Sequence, residues 1–341
     1  MEGMQVIDWN TEIAEKYELN VTNGRKGRGS WIFETDRGLK LLKEYKGSIR
    51  RLEFEEAVLN TMKDTDSLRV DQYVRNKEAE LLSTAEDGTK YILKDWFYDR
   101  ECDLKDRKEI LWAIRQIAVL HRSLRQVEMQ EDWNLKSMVS PPLYTAMEKH
   151  NRELRKARTF IREKRKKNDF ELAVIGSYDR FYEQALAACR GMEALYRQEG
   201  ADIEQQYFVC HGELNHHHIL IGTDYVAVTE FNQMHLGLQV EDLYYFMRKV
   251  MEKHDWDSGL GVSMLNAYER ILPLRQVERD CLYYLFLYPE KYWKQMNFYY
   301  NANKAWIPAR QTEKIRNLER QQEHRMEFLE ILRNVECYCI K

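Results

Sequence analysis

Only five prolines and fifteen glycines occur among 341 residues, which leaves little room for low-complexity linkers, and no internal repeat is visible. Long hydrophobic runs are missing too. The longest uncharged apolar stretches, such as CLYYLFLYP, fall far short of the roughly 20 residues a membrane span needs. The opening MEGMQVIDWN has neither the basic n-region nor the apolar h-region of a signal peptide. Charge of one sign is not in excess. The formal net charge of −3 gives no global attraction to nucleic acid or to an anionic membrane, so neither is expected as a partner. The six cysteines (Cys102, Cys189, Cys210, Cys281, Cys337 and Cys339) show no zinc-ribbon spacing, and the Cys337/Cys339 pair has no matching second pair. Reduced thiols in a cytoplasmic compartment are the simplest reading.

What is present is an ordinary globular composition, 44% apolar and 32% charged, in a chain long enough to bury a core without a disulfide or metal staple. At roughly 150 residues per domain, the length suits one large two-lobed unit or two ordinary domains.

Periodicity divides the chain. Residues 8–18 have the pattern of a short amphipathic helix. After it come a strand, a Gly/Arg-rich turn, the extended run WIFET, a turn at Asp36-Arg37-Gly38 and the strand LKLLKEY. A helix follows, with Leu52, Leu59 and Met62 on one face. LRVDQYV and a hairpin turning at Asp87-Gly88 complete what is expected to be a five-stranded, mostly antiparallel sheet with one inserted helix, ending near residue 97. From residue 104 the pattern is helical, with Leu111, Ile114, Ala118 and His121 sharing a face. A basic helix from Arg152 to Lys167 and another helix over 169–198 come next. The segment QYFVCHGELNHHHILIGTDYVAVTEFN then predicts strand, polar loop, strand, turn, strand, and the remainder to about 335 is helical again. A β-rich N-terminal lobe (1–97), a connection near Phe97–Asp103 and a mostly helical C-terminal lobe (98–341) with an embedded polar hairpin form the layout of an α+β, two-lobed, protein-kinase-like fold.

Three landmarks sharpen this. The stretch from Cys210 to Leu220, CHGELNHHHIL, resembles the catalytic loop of the aminoglycoside and choline phosphotransferases, in which HGD opens the loop and an Asn closes it. VAVTEF, ending at Phe231, stands where those proteins have a strand ending in Asp-Phe or Asp-Trp. Glu241-Asp242-Leu243 resembles their Asp-Leu helix start, and IAVLH, ending at His121, resembles their LA-x-LH helix. Within that superfamily, DLYYFMRKVMEKHDWD, LYPEKYWKQMNFYYNANKAW and ELRKARTFIREKRKK are similar to the CotS group of bacterial spore-coat proteins. The resemblance covers nearly the whole chain.

The resemblance implies ATP and magnesium as ligands. It places the catalytic carboxylate at Glu213, the metal-binding loop position at His218, the second metal carboxylate at Glu230 and the nucleotide-gripping lysine at Lys43. The lysine's helix partner is Glu53 or Glu56, with Glu56 favoured. Gly27 and Gly29, flanking Arg28, form a turn whose amides suit a phosphate.

Three of these positions depart from the family's pattern. Asp to Glu keeps the charge but moves the carboxylate by about a bond length, and about 1 Å of misplacement costs around a hundredfold in rate. Asn to His replaces a hard oxygen by an imidazole, which suits zinc, copper or nickel better than magnesium. Asn232 offers a further oxygen. The expected function is therefore that of a spore-coat-associated, CotS-like protein with a degenerate phosphotransferase site, acting mainly through contacts with spore-coat proteins. The alternative is an active ATP-dependent phosphotransferase of a small-molecule or sugar hydroxyl.

Other features carry bland readings. In an extended segment His216, His217 and His218 point alternately to opposite sides and do not share a metal, although in a loop they could. His211 is expected to brace the loop through hydrogen bonds. The basic helix is expected to be a solvated face or a protein-docking surface, and the aromatic stripe of LYPEKYWKQMNFYYNANKAW to be core.

Overall fold

The computed structural model describes residues 11–27, 29–62, 67–130, 133, 135–301 and 309–334. Cys337, Cys339, Arg28, residues 8–10 of the first expected helix and 302–306 of the aromatic stripe lie outside these. The strands, in chain order, are β1 (Val21–Lys26), β2 (Ser30–Thr35), β3 (Gly38–Glu44), β4 (Leu68–Val70), β5 (Tyr73–Val74), β6 (Ser83–Thr84), β7 (Lys90–Asp95), β8 (Arg100–Glu101), β9 (Tyr207–Cys210), β10 (Ile219–Ile221), β11 (Val226–Val228) and β12 (His235–Leu238). The helices are α1 (Thr11–Ala14), α2 (Ile49–Thr61), α3 (Arg107–Leu124), α4 (Leu143–Glu163), α5 (Asp169–Glu204), α6 (Val240–Lys253), α7 (Ser258–Glu269), α8 (Gln276–Leu287), α9 (Glu290–Asn301), α10 (Ala309–Arg320) and α11 (Gln322–Asn334). The chain divides into two compact units. The first takes in Met1–Asp103, Val119–Met138 and His211–Met234, and the second Leu104–Ala118, Val139–Cys210 and His235–Lys341. This differs from a single boundary at residue 97, because the loop and strands of 211–234 pair with strands of the N-terminal region.

In the first unit, an antiparallel sheet runs in the order β1-β2-β3-β7-β5, with β6 also pairing with β7. It has six strands where five were expected, and its composition differs too. LRVDQYV splits: β5 stays in this sheet, while β4 runs parallel to β11 in a second sheet of order β4-β11-β10-β8. Leu68 and Val70 are buried, and the break falls at the fully buried Asp71. Gly38 and Gly88 close two hairpins with φ of +84° and +83°, a region that glycine occupies without steric cost.

Alternation along the central strands decides what faces what. Leu42 and Leu93 pack with Phe33, Ile13 and Tyr17 on one face of the sheet. On the other, Ile92 packs with Leu52 and Leu81, and Leu41, Lys43 and Lys94 line a cavity with it. Of the helix read at 8–18, α1 covers only Thr11–Ala14 among the described residues. Helix α2 is capped by Ser48, whose hydroxyl oxygen accepts from the Arg51 amide at 3.3 Å.

The second unit is a helical array with the short β12-β9 ribbon. Asn168 and Glu171 form a reciprocal capping box at the start of α5, which kinks at Glu199, where the expected helix over 169–198 ends, before a last turn to Glu204. Gly261 on α7 lies against the buried ring of Phe328, which a Cβ there would meet at 2.4 Å. Gly261→Ala is expected to destabilise this unit by about 1–3 kcal/mol through overpacking, measurable in a denaturant melt.

At the start of α6, burial and the neighbouring carboxylates of Asp242 and Glu290 push Glu241 up to about 7. The folded state then holds a proton that the unfolded chain releases near pH 4.5, so this group's contribution to stability falls as pH rises from about 4.5 to 7. Glu241→Gln is expected to remove that dependence and to raise stability above pH 7 by about 1–3 kcal/mol, discounted for the residue's partial exposure. Thermal melts at pH 5 and pH 8 check the sign.

Cys102, Cys189, Cys210 and Cys281 are buried thiols outside any disulfide, and burial pushes the Cys189 thiol up to about 11. No described helix is long and apolar enough to cross a membrane.

Candidate functional site

Lys43 leaves β3 on the cavity face and its Nζ meets Glu230 Oε2 at 2.6 Å. Glu230 follows β11 with φ +68°, a left-handed conformation that is uncommon for a residue with a Cβ. Its amide donates to Asp71 Oδ2 at 3.0 Å, and the same oxygen accepts from Lys94 Nζ at 2.7 Å. Burial pushes the Asp71 carboxyl up, and Lys94 pulls it back down. Oriented to satisfy its neighbours, the Asn232 amide nitrogen donates to Glu230 Oε2 at 2.9 Å and to its carbonyl at 3.0 Å. The oxygen that Asn232 was expected to offer is therefore turned away from Glu230.

The same segment is pinned to α2. Arg51 donates to the carbonyls of Asn232 and Met234, each at 2.9 Å, and to Glu55 Oε1 at 2.9 Å. The Tyr73 hydroxyl donates to Glu55 Oε2 at 2.7 Å. Burial raises the Glu55 carboxyl, opposed by Tyr73 and Arg51. These groups border a cavity of about 390 Å³ lined by Lys43, Tyr45, Arg51, Lys94, Glu230 and Asn232, among others.

The loop after β9 is held by His211, which is fully buried. Its Nε2 donates to the Thr229 carbonyl at 2.9 Å, and its Nδ1 accepts from the Glu213 amide at 3.2 Å, the bracing role the sequence suggested. Gly212 turns the chain with φ +87°. His218 Nδ1 donates to the Glu213 carbonyl at 2.9 Å, and the His218 carbonyl accepts from the Thr229 amide at 3.0 Å, so His218 lies beside the residue preceding Glu230. The Glu213 residue itself is exposed.

Of the expected site residues, Lys43 and Glu230 are in contact, and Glu213 and His218 are joined through backbone and ring. Glu56 is a correction. Its carboxylate accepts from the Arg75 guanidinium through both oxygens, while the carboxylate on Lys43 is Glu230. The helix turns Glu56 toward Arg75 and presents Glu55, one residue earlier, to Arg51 and Tyr73. Gly27 and Gly29 sit in a tight hairpin, where the Gly27 amide donates to the Ser30 carbonyl at 2.8 Å and is therefore spent within the turn. Gly29 has φ +69°. Asp71, Lys94, Arg51, Glu55 and Tyr73 were not singled out from the sequence; the one signal was an acid interrupting the apolar alternation of LRVDQYV.

The fold family implies magnesium, which takes hard oxygen ligands in tight octahedral geometry. Here one position carries an imidazole, and the Glu230 carboxylate is already bonded to an ammonium and an amide. These residues do not fit that ion.

Comparison with solved structures decides the architecture. The chain aligns with an aminoglycoside phosphotransferase from Alicyclobacillus acidocaldarius over 97% of both chains, with a TM-score of 0.79 and 16% identity. The fold is protein-kinase-like, of the aminoglycoside phosphotransferase type. This kinase-like chain also aligns with a microcompartment-associated aminopropanol kinase (TM-score 0.60, 11% identity, 94% and 97% covered). A spectinomycin phosphotransferase solved with ADP and spectinomycin is a third neighbour (TM-score 0.58, 12% identity, 95% and 99% covered). No family model and no curated protein matches the sequence.

Proposed function

We propose that this kinase-fold chain is a spore-coat-associated protein of the CotS type, with a degenerate phosphotransferase site, that acts mainly through protein contacts. The observation that carries the reading is the closed polar network around Glu230. Lys43, the residue expected to grip phosphate, is neutralised by the carboxylate expected to hold a metal, and Asn232 and Asp71 fix that carboxylate's residue from two further sides. Opening the network for a nucleotide costs these bonds, and the imidazole at His218 returns little to a hard ion. The placement in the spore coat rests on the sequence resemblance.

The second reading is an ATP-dependent phosphotransferase of a small-molecule or sugar hydroxyl. The retained carboxylates at Glu213 and Glu230 favour it, as do neighbours that include an aminopropanol kinase and an aminoglycoside phosphotransferase. Nucleotide turnover separates the two. With ATP and magnesium, the natural chain is expected to consume nucleotide no faster than its Lys43→Ala and Glu213→Ala variants. Turnover that disappears in both variants would favour the enzyme.

A further inference from the structure

The histidine run is not extended. His216–His218 form a single 3₁₀ turn capped by Asn215, whose side-chain oxygen accepts from the His217 amide at 2.9 Å. The turn brings the rings of His216 and His217 to the same side, with centroids 3.9 Å apart. Opposite them stands Glu101, fixed on β8 by its pairing with Leu220 of β10. Its Oε2 lies 2.7 Å from His217 Nδ1. One ligand atom from each of Glu101, His216 and His217 falls within 4.8 Å of the others, the one such group among the described residues.

We propose that Glu101, His216 and His217 bind a borderline divalent transition-metal ion, with zinc as the test case. Two imidazoles and one carboxylate suit zinc, cobalt, nickel or copper; magnesium and calcium demand more oxygen. Zinc–ligand bonds of about 2.0–2.2 Å in a tetrahedron place neighbouring ligand atoms about 3.3–3.5 Å apart. The three ligand atoms, all within 4.8 Å of one another, lie near that spacing. Glu101 and His217 are about half exposed, at 48% and 46%, so they have the freedom to adjust and leave room for water as the remaining ligand. The ion replaces the proton shared by His217 and Glu101, and what it displaces is a solvent-exposed pair that contributes little by itself.

The backbone is the prepared part. The Asn215 cap sets the turn, and the β8–β10 pairing sets Glu101, so the ligands arrive from two segments already held in register. A bound ion therefore ties the 100–101 strand to the loop that carries Glu213 and His218. The site is separate from the position the resemblance gives to magnesium, since His218 is not among its ligands and its ring bonds to the Glu213 carbonyl.

Zinc titration of the full, tag-free chain by calorimetry, together with cobalt(II) visible absorption, tests this. The natural chain is expected to take up one equivalent and to give the d–d bands of a nitrogen/oxygen site. Glu101→Gln, His216→Ala and His217→Ala are each expected to weaken uptake by about tenfold or more, and His216→Ala/His217→Ala to abolish it. His324→Ala, at an exposed histidine paired with Asp255 elsewhere, controls for unspecific histidine binding and is expected to change nothing. Far-UV circular dichroism of the metal-free variants confirms that they fold. No uptake by the natural chain overturns the proposal, as does uptake that survives unchanged in the double variant.

Discussion

Replacing the three departing residues together, Glu213→Asp, His218→Asn and Glu230→Asp, is expected to give tighter magnesium-dependent ATP binding than the natural chain shows. Each change acts on a different deficit. His218→Asn exchanges a ring nitrogen for an amide oxygen of the kind magnesium prefers. Glu230→Asp withdraws the carboxylate by one methylene, which breaks the 2.6 Å contact with Lys43 and frees the ammonium for phosphate. Glu213→Asp corrects a displacement of about a bond length, of the kind that costs around a hundredfold in rate. Single variants are expected to show little, because the positions act as one unit. If an acceptor hydroxyl is supplied, the triple variant should exceed the natural chain in nucleotide consumption by about 10² or more. A triple variant that folds but binds no better than the natural chain would place the obstacle outside these residues.

Lys94→Met is expected to be the most damaging single change in the first unit. Lys94 and Asp71 are almost completely buried and 2.7 Å apart, and Asp71 also receives the Glu230 amide. Removing the ammonium leaves a buried carboxylate without its counter-charge, which costs about 3–5 kcal/mol. Lys94→Met/Asp71→Leu removes both charges and should be less damaging than the sum of its parts, since apolar replacement of a buried pair is often near neutral. The Glu230 amide then loses an acceptor, so some cost remains, about 1–3 kcal/mol. Urea melts of the two single variants and the double variant measure the coupling directly.

The fold was legible because its signals are local and repeated. Hairpin turns at Gly38 and Gly88, the helix from Leu52 to Met62 and the HGE loop each announce themselves in short windows. Gly212 and His211 do what that loop motif requires. The strand pairing was less accessible: LRVDQYV looks like one strand but is divided between two sheets, and the division depends on a parallel partner at Val226–Val228 that lies far along the chain. The lysine's partner failed for a related reason. Glu56, favoured from the sequence over Glu53, is held by Arg75 from outside the helix, and the carboxylate on Lys43 comes from Glu230, far along the chain. For the histidine run the sequence leaves open an extended segment or a loop, and it is the 3₁₀ turn that gathers His216 and His217 on one side.

Whether the Lys43–Glu230 network leaves a productive place for Mg-ATP is decided by a thermal-shift titration of the natural chain with ATP, with and without magnesium. A ligand at about 100 times its dissociation constant stabilises the folded state by about 2.7 kcal/mol, a shift that such an assay resolves. The expectation is no magnesium-dependent shift at millimolar ATP. A magnesium-dependent rise in melting temperature that vanishes in Lys43→Ala would contradict it and establish a working nucleotide site.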